Sequence, residues 1–184
     1  AADRVHVELG RTRADLLTGR HVVDTEPLEL PTTGLSSVGV WDPHLVRDPA
    51  TGTWLVGYVS ARRYFDFHPV LATGPSLDAL TLRAAADDRH ATEGTTLARV
   101  GDAWRVLASD GRDNPRPHRA AYPVFDLDLR QLDTLAAPYP TNLPWPTLVP
   151  TAQGMLLVGF DGTPTGGRLP AYGTHGAVVI ARQV

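Results

Sequence analysis

Asp42–Ala61 (DPHLVRDPATGTWLVGYVSA), Glu93–Gly111 (EGTTLARVGDAWRVLASDG) and Trp145–Thr163 (WPTLVPTAQGMLLVGFDGT) read as three copies of one unit. Each opens with a short strand-like run (HLV, TLA, TLV) and a tight turn carrying glycine (ATG, VGD, AQG). A second apolar run follows and ends on small polar residues at Ser60, Ser109-Asp110 and Asp161-Gly162. Trp54 precedes Trp104 by 50 residues, and Trp104 precedes Met155 by 51. Further strand candidates trail each unit: PVLATGPSLDALTLR from Pro69, YPVFDLDLRQLDTLA from Tyr122 and GAVVIARQV from Gly176. The opening VHVELGRTRADLLTGRHVV, from Val5, reads as the second half of such a unit with no first half before it.

Four strands recurring with a period of about 40 to 50 residues are the mark of a β-propeller blade. A β-sandwich also spaces its strands regularly, but it does not predict one turn chemistry returning at a fixed interval. The expected fold is therefore all-β: a single propeller domain of four-stranded blades, with about three and a half blades present. Residues 1–35 would end one blade, and 36–88, 89–142 and 143–184 would form three more. Propellers close with about four to eight blades, so an N-terminal fragment or a second chain is expected to complete the ring. The start at Ala1-Ala2-Asp3, with Met155 the single methionine, is read the same way, as a processed or truncated N-terminus.

Composition agrees with many short strands. Gly (17) and Pro (16) are frequent among the 184 residues, and hydrophobic residues make up 42%. The one helix candidate, Ser76–Ala86, is read as a strand end and a turn, because Gly74-Pro75 precedes it and Thr81-Leu82 interrupts it. With 17 Lys and Arg against 20 Asp and Glu, the net charge of -3 offers no basic field, so nucleic acid is not an expected partner. There is no cysteine, which excludes a disulfide framework, a thiolate metal site and a cysteine nucleophile. No apolar run approaches about 18 residues, so no membrane partner is expected. Zinc spacings, a glycine-rich phosphate loop and a Gly-x-Ser-x-Gly elbow are all missing.

Two acidic residues stand out because they occupy matching places in successive units. Asp42 lies in Val40-Trp41-Asp42-Pro43, and Glu93 in Thr92-Glu93-Gly94-Thr95. The first strand of a propeller blade lines the central channel, so both carboxylates would converge there. A protonated carboxyl beside an ionised one is what glycoside hydrolysis needs, and mutual repulsion with partial burial keeps one of them protonated near neutral pH. Trp41 and Trp145 precede first strands, where an indole face can stack on a sugar. Arg62, Asp110 and His175 are the remaining candidate substrate contacts, in loops or strand ends that would rim the channel. No metal ligand set is expected.

VWDPHLVRDPATGTWLVGY and TEGTTLARVGDAWRVLASDG resemble the second- and third-blade patterns of the five-bladed propeller glycosidases of family 43, and of their furanosidase relatives that act on fructans. The resemblance covers roughly residues 38–184. It implies that Glu93 is the general acid and that Asp42 orients it and tunes its pKa. It also implies a five-bladed ring, an oligosaccharide or polysaccharide substrate, and export from the cell. No cofactor is called for, and a calcium ion in the channel is compatible with it. Thr95 departs from the family, which usually has Pro there. The family's base, an Asp of the first blade, is expected upstream of Ala1, because none of Asp3, Asp15 and Asp24 opens a strand-turn-strand unit. The alternative reading is a non-catalytic propeller that binds a glycan or a protein through the same residues.

Overall fold

A computed structural model describes residues 5–9, 24–64, 66–111, 114, 121–135, 146–165 and 175–182. Its strands are β1 (Val5–Leu9), β2 (Asp24–Leu28), β3 (Gly39–Arg47), β4 (Trp54–Arg63), β5 (Asp66–Gly74), β6 (Thr81–Ala85), β7 (Thr92–Val100), β8 (Ala103–Asp110), β9 (Tyr122–Phe125), β10 (Gln131–Leu135), β11 (Thr147–Thr151), β12 (Gly154–Thr165) and β13 (His175–Arg182). The only helical turn among the described residues is a 3₁₀ turn, Leu77–Ala79. The segment Ser76–Ala86 is thus a turn leading into β6.

The strands form four sheets, each built from consecutive strands. The first pairs β1 with β2. The second is β3-β4-β5-β6, the third β7-β8-β9-β10, and the fourth β11-β12-β13. Every neighbouring pair is antiparallel. The expected fourth strand of the last unit is not seen among the described residues, and these residues form no closed ring.

Strands this apolar on both faces need a cover on each side. Along β4 and β5, alternation sends Val56, Tyr58, Val70 and Ala72 to one face, where Leu30, Leu35, Val40 and Leu45 pack on them. Leu55 and Leu71 point the other way and meet Leu97, Val106 and Phe125 of the third sheet. The second and third sheets are thus joined through a filled apolar layer. At the site end of that layer, Val59, Ala61, Phe67 and Ala91 pack with Trp41.

The two sheets also approach closely through their backbones. A Cβ on Gly57 would lie 2.8 Å from Thr95 Cγ2 and 3.3 Å from the Thr95 carbonyl oxygen, so this position of β4 has room for hydrogen only. Thr95 Oγ1 donates to the Tyr58 carbonyl at 3.1 Å. The Leu97 N–H donates to His44 Nδ1 at 3.1 Å. In the opposite direction, Thr96 Oγ1 donates to the Pro146 carbonyl at the start of the fourth sheet.

Candidate active site

Asp42 lies within β3 and Glu93 within β7, each at an irregularity of its strand. Trp41 pairs with Val59 and His44 with Gly57, so Asp42 and Pro43 together oppose Tyr58 alone. Glu93 pairs with Ser109 and Thr96 with Leu107, so Gly94 and Thr95 oppose Ala108 alone. These are β-bulges, which bend a strand and re-aim its side chains. The first bulged residue is left-handed in both sheets, with φ 54° at Asp42 and 70° at Gly94. Pro43 fits at the second place because a bulged residue needs no N–H for the ladder.

The sequence alignment of Asp42 with Glu93 is therefore one residue out of structural register. Trp41 and Glu93 are the equivalent pair, and Asp42 corresponds to Gly94. The site is nonetheless assembled: the Trp41 indole Nε1 donates to Glu93 Oε2 at 3.4 Å. The indole is held from its other side by Phe67, edge to face, with ring centroids 5.6 Å apart. Glu93 is half-buried. Burial first, and then the negative charge of Asp42, push its pKa up from 4.5 to about 7, against the smaller opposing pull of the Trp41 hydrogen bond. A carboxyl tuned in this way carries a proton much of the time at neutral pH and can give it up.

Behind Glu93 stands a buried polar cluster. Arg89 Nη1 meets Asp110 Oδ2 at 3.1 Å, with both side chains almost wholly buried. Thr92 Oγ1 donates to Asp110 Oδ1 at 2.7 Å, and Arg89 Nη2 donates to Gln131 Oε1. The guanidinium also lies over the Phe125 ring, 5.3 Å from its centroid. Burial raises the Asp110 pKa to about 6, although Thr92 and Arg89 favour its charged form. Asn114 ties the turn before β7: its Nδ2 donates to the Ala91 carbonyl at 3.0 Å, and its Oδ1 accepts from the His90 N–H at 3.2 Å. Ala91 is held left-handed there, at φ 44°.

Arg62 is also engaged within the protein. Its guanidinium reaches Asp66 at 3.3 Å and Asp87 at 3.6 Å, and donates to the Arg89 carbonyl. Asp66 in turn meets His90 Nδ1 at 2.7 Å. Of the residues expected at the site, the structure brings together Trp41, Asp42 and Glu93. Asp110 lies in the supporting cluster, and Arg62 in the ion-pair group beside it. Trp145 lies outside the described residues, as do Asp3 and Asp15. His175 opens β13 opposite Thr165.

Arg89 and Thr92 were not foreseen as part of the site. A signal existed in the charged run Asp87-Asp88-Arg89-His90, which stands directly before the strand carrying Glu93. No protein-family model matches the chain, and no curated protein matches it either.

Proposed function

We propose that this chain is a glycoside hydrolase, or the larger part of one, and that its sheets are blades of a β-propeller. The arrangement of Trp41, Asp42 and Glu93 carries this reading: a half-buried carboxyl oriented by an indole N–H, with a second carboxylate's charge raising its pKa. Support for the propeller comes from the sequence-local sheets packed in series, with first strand β3 beside β7 and β7 beside β11.

In the proposed reaction the Glu93 O–H protonates the glycosidic oxygen as the bond from that oxygen to the anomeric carbon breaks. Positive charge develops on the sugar ring. Water adds to the anomeric carbon and gives its proton to a base, the role that an Asp of the first blade plays in family 43. Glu93 is left ionised and regains a proton from solvent. Burial, aided by the charge of Asp42, favours the protonated form of Glu93 between turnovers.

The test is leaving-group dependence. Aryl and alkyl arabinosides and xylosides should be turned over by the wild-type protein in the form that carries the base. Glu93→Gln should slow the alkyl glycosides by at least about 100-fold. The 4-nitrophenyl glycosides, whose leaving group needs little protonation, should lose far less. Equal loss on both classes would remove Glu93 as the acid. Saturable glycan binding with no turnover in that form would favour the non-catalytic reading.

A further inference from the structure

The packing between the third and fourth sheets differs from that between the second and third. Where Leu55, Leu71, Leu97, Val106 and Phe125 fill one layer, a cavity of about 550 Å³ opens in the next. Val100, Val124 and Leu135 form one wall, and Leu148, Met155 and Leu157 the other. The registers explain why these residues meet. Val124 lies beside Leu107 on the face turned from the Val106 layer, while Leu148 and Leu157 are paired neighbours. The cleft opens to solvent at the exposed Val100 and Leu132, and its unfilled apolar walls forgo dispersion contacts. The volume falls within the range of small-molecule pockets, about 300 to 1,000 Å³.

The lining also carries charge. Arg105 is half-buried and its Nη1 donates to the Trp104 carbonyl at 3.0 Å, but it makes no ion pair among the described residues. Arg182 adds a second cation to the lining. Asp133 lies there too, with its Oδ1 accepting from the Thr134 N–H at 2.7 Å. Val100 and Glu93 sit near opposite ends of β7, about 20 Å apart at about 3.3 Å per residue, so this cavity is separate from the Glu93 site.

We propose that the cleft between the third and fourth sheets binds an apolar molecule carrying one carboxylate, with its body between the sheets and its carboxylate on Arg105. Decanoate and 1-decanol are suitable probes, because they share a body and differ in the head group. Met155 is the only methionine in the chain, so ¹³C-methyl labelling gives one resonance inside the cleft. Decanoate should shift that resonance saturably and bind about tenfold tighter than decanol. Arg105→Met should remove the preference and leave decanol binding in place. Leu157→Trp should fill the cleft and abolish both. An unmoved Met155 signal at saturating decanoate would overturn the site in the wild type, without relying on a variant that folds. Equal affinities for the two probes, or decanoate binding that survives Leu157→Trp in a folded protein, would overturn it as well.

Discussion

Trp41 and Glu93 are 52 residues apart in the chain and joined by a hydrogen bond of 3.4 Å, and they occupy the same register position of two successive sheets. The donor belongs to one repeat and the acceptor to the next. The pair therefore depends on how the two sheets pack as well as on either strand.

Asp42 acts on Glu93 by charge, so Asp42→Asn should let the Glu93 pKa fall from about 7 toward 4.5. A general acid works while protonated, and activity falls as pH rises through its pKa. The alkaline limb of the pH–rate profile should move to lower pH in D42N. Asn tolerates the left-handed φ of 54°, whereas Asp42→Ala should add about 1 kcal/mol of strain. A limb that stays in place in D42N would break the link between the two carboxylates.

The same shift has a signature in stability. The unfolded chain releases the Glu93 proton near 4.5, while the folded chain holds it to about 7. Across that window the unfolded state binds fewer protons, so stability falls as pH rises. Asp110, raised from 3.8 to about 6, acts in the same sense at lower pH. Urea titrations from pH 4 to 8 should show a shallower decline in E93Q than in the wild type, with a remaining slope from Asp110.

His44 predicts the opposite slope. Its Nδ1 accepts from the Leu97 N–H, which requires an unprotonated nitrogen, and burial lowers its pKa below 6.5. As pH falls below that value the unfolded chain takes up a proton that the folded chain resists, and stability is lost. His44→Ala should destabilise by about 1–3 kcal/mol at pH 7, because the Leu97 N–H loses its partner. Relative to the wild type it should also gain stability at pH 5 against pH 7, while His68, whose pKa is lowered by burial in the same way, keeps its own share. Thermal melts at pH 7 and pH 5 give both readouts.

Arg89→Met should destabilise by about 3–5 kcal/mol, because it leaves the buried Asp110 carboxylate without its cation. Adding Asp110→Asn should recover part of that loss, so the double variant should be more stable than R89M alone. Denaturant midpoints of the two variants decide this. A double variant less stable than R89M would mean that Thr92 and Gln131 hold the cluster without the ion pair.

Gly57→Ala should destabilise by about 1–3 kcal/mol through overpacking against Thr95. Thr95→Ser removes the Cγ2 that the new methyl would meet at 2.8 Å, so it should be less harmful in G57A than in the wild type. A double-mutant cycle in urea measures that coupling.

Much of the fold is written in turn chemistry. The runs HLV, TLA and TLV fall in β3, β7 and β11, and the glycine-bearing turns fall between paired strands. Glycine and proline act locally, so they can be read without knowing what packs where. The bulges at Asp42-Pro43 and Gly94-Thr95 are another matter. A bulge is a count of residues against a partner strand, and the partner's register lies elsewhere in the chain. For that reason the sequence led to both carboxylates but set them one position out of step. Arg89 was hidden for a related reason: a charged run usually marks a solvated loop, and only the fold shows that this arginine turns inward onto Asp110 and Phe125.

The shared register of Trp41 and Glu93 also bears on how such a site can arise. Duplicating a unit first puts the same side chain in both sockets. Two indoles there would give two donors and no acceptor, and two carboxylates would repel. The donor–acceptor pair exists only once the copies have diverged at this position. Divergence between repeats, more than invention within one of them, is then the step that turns a row of similar sheets into a donor–acceptor site.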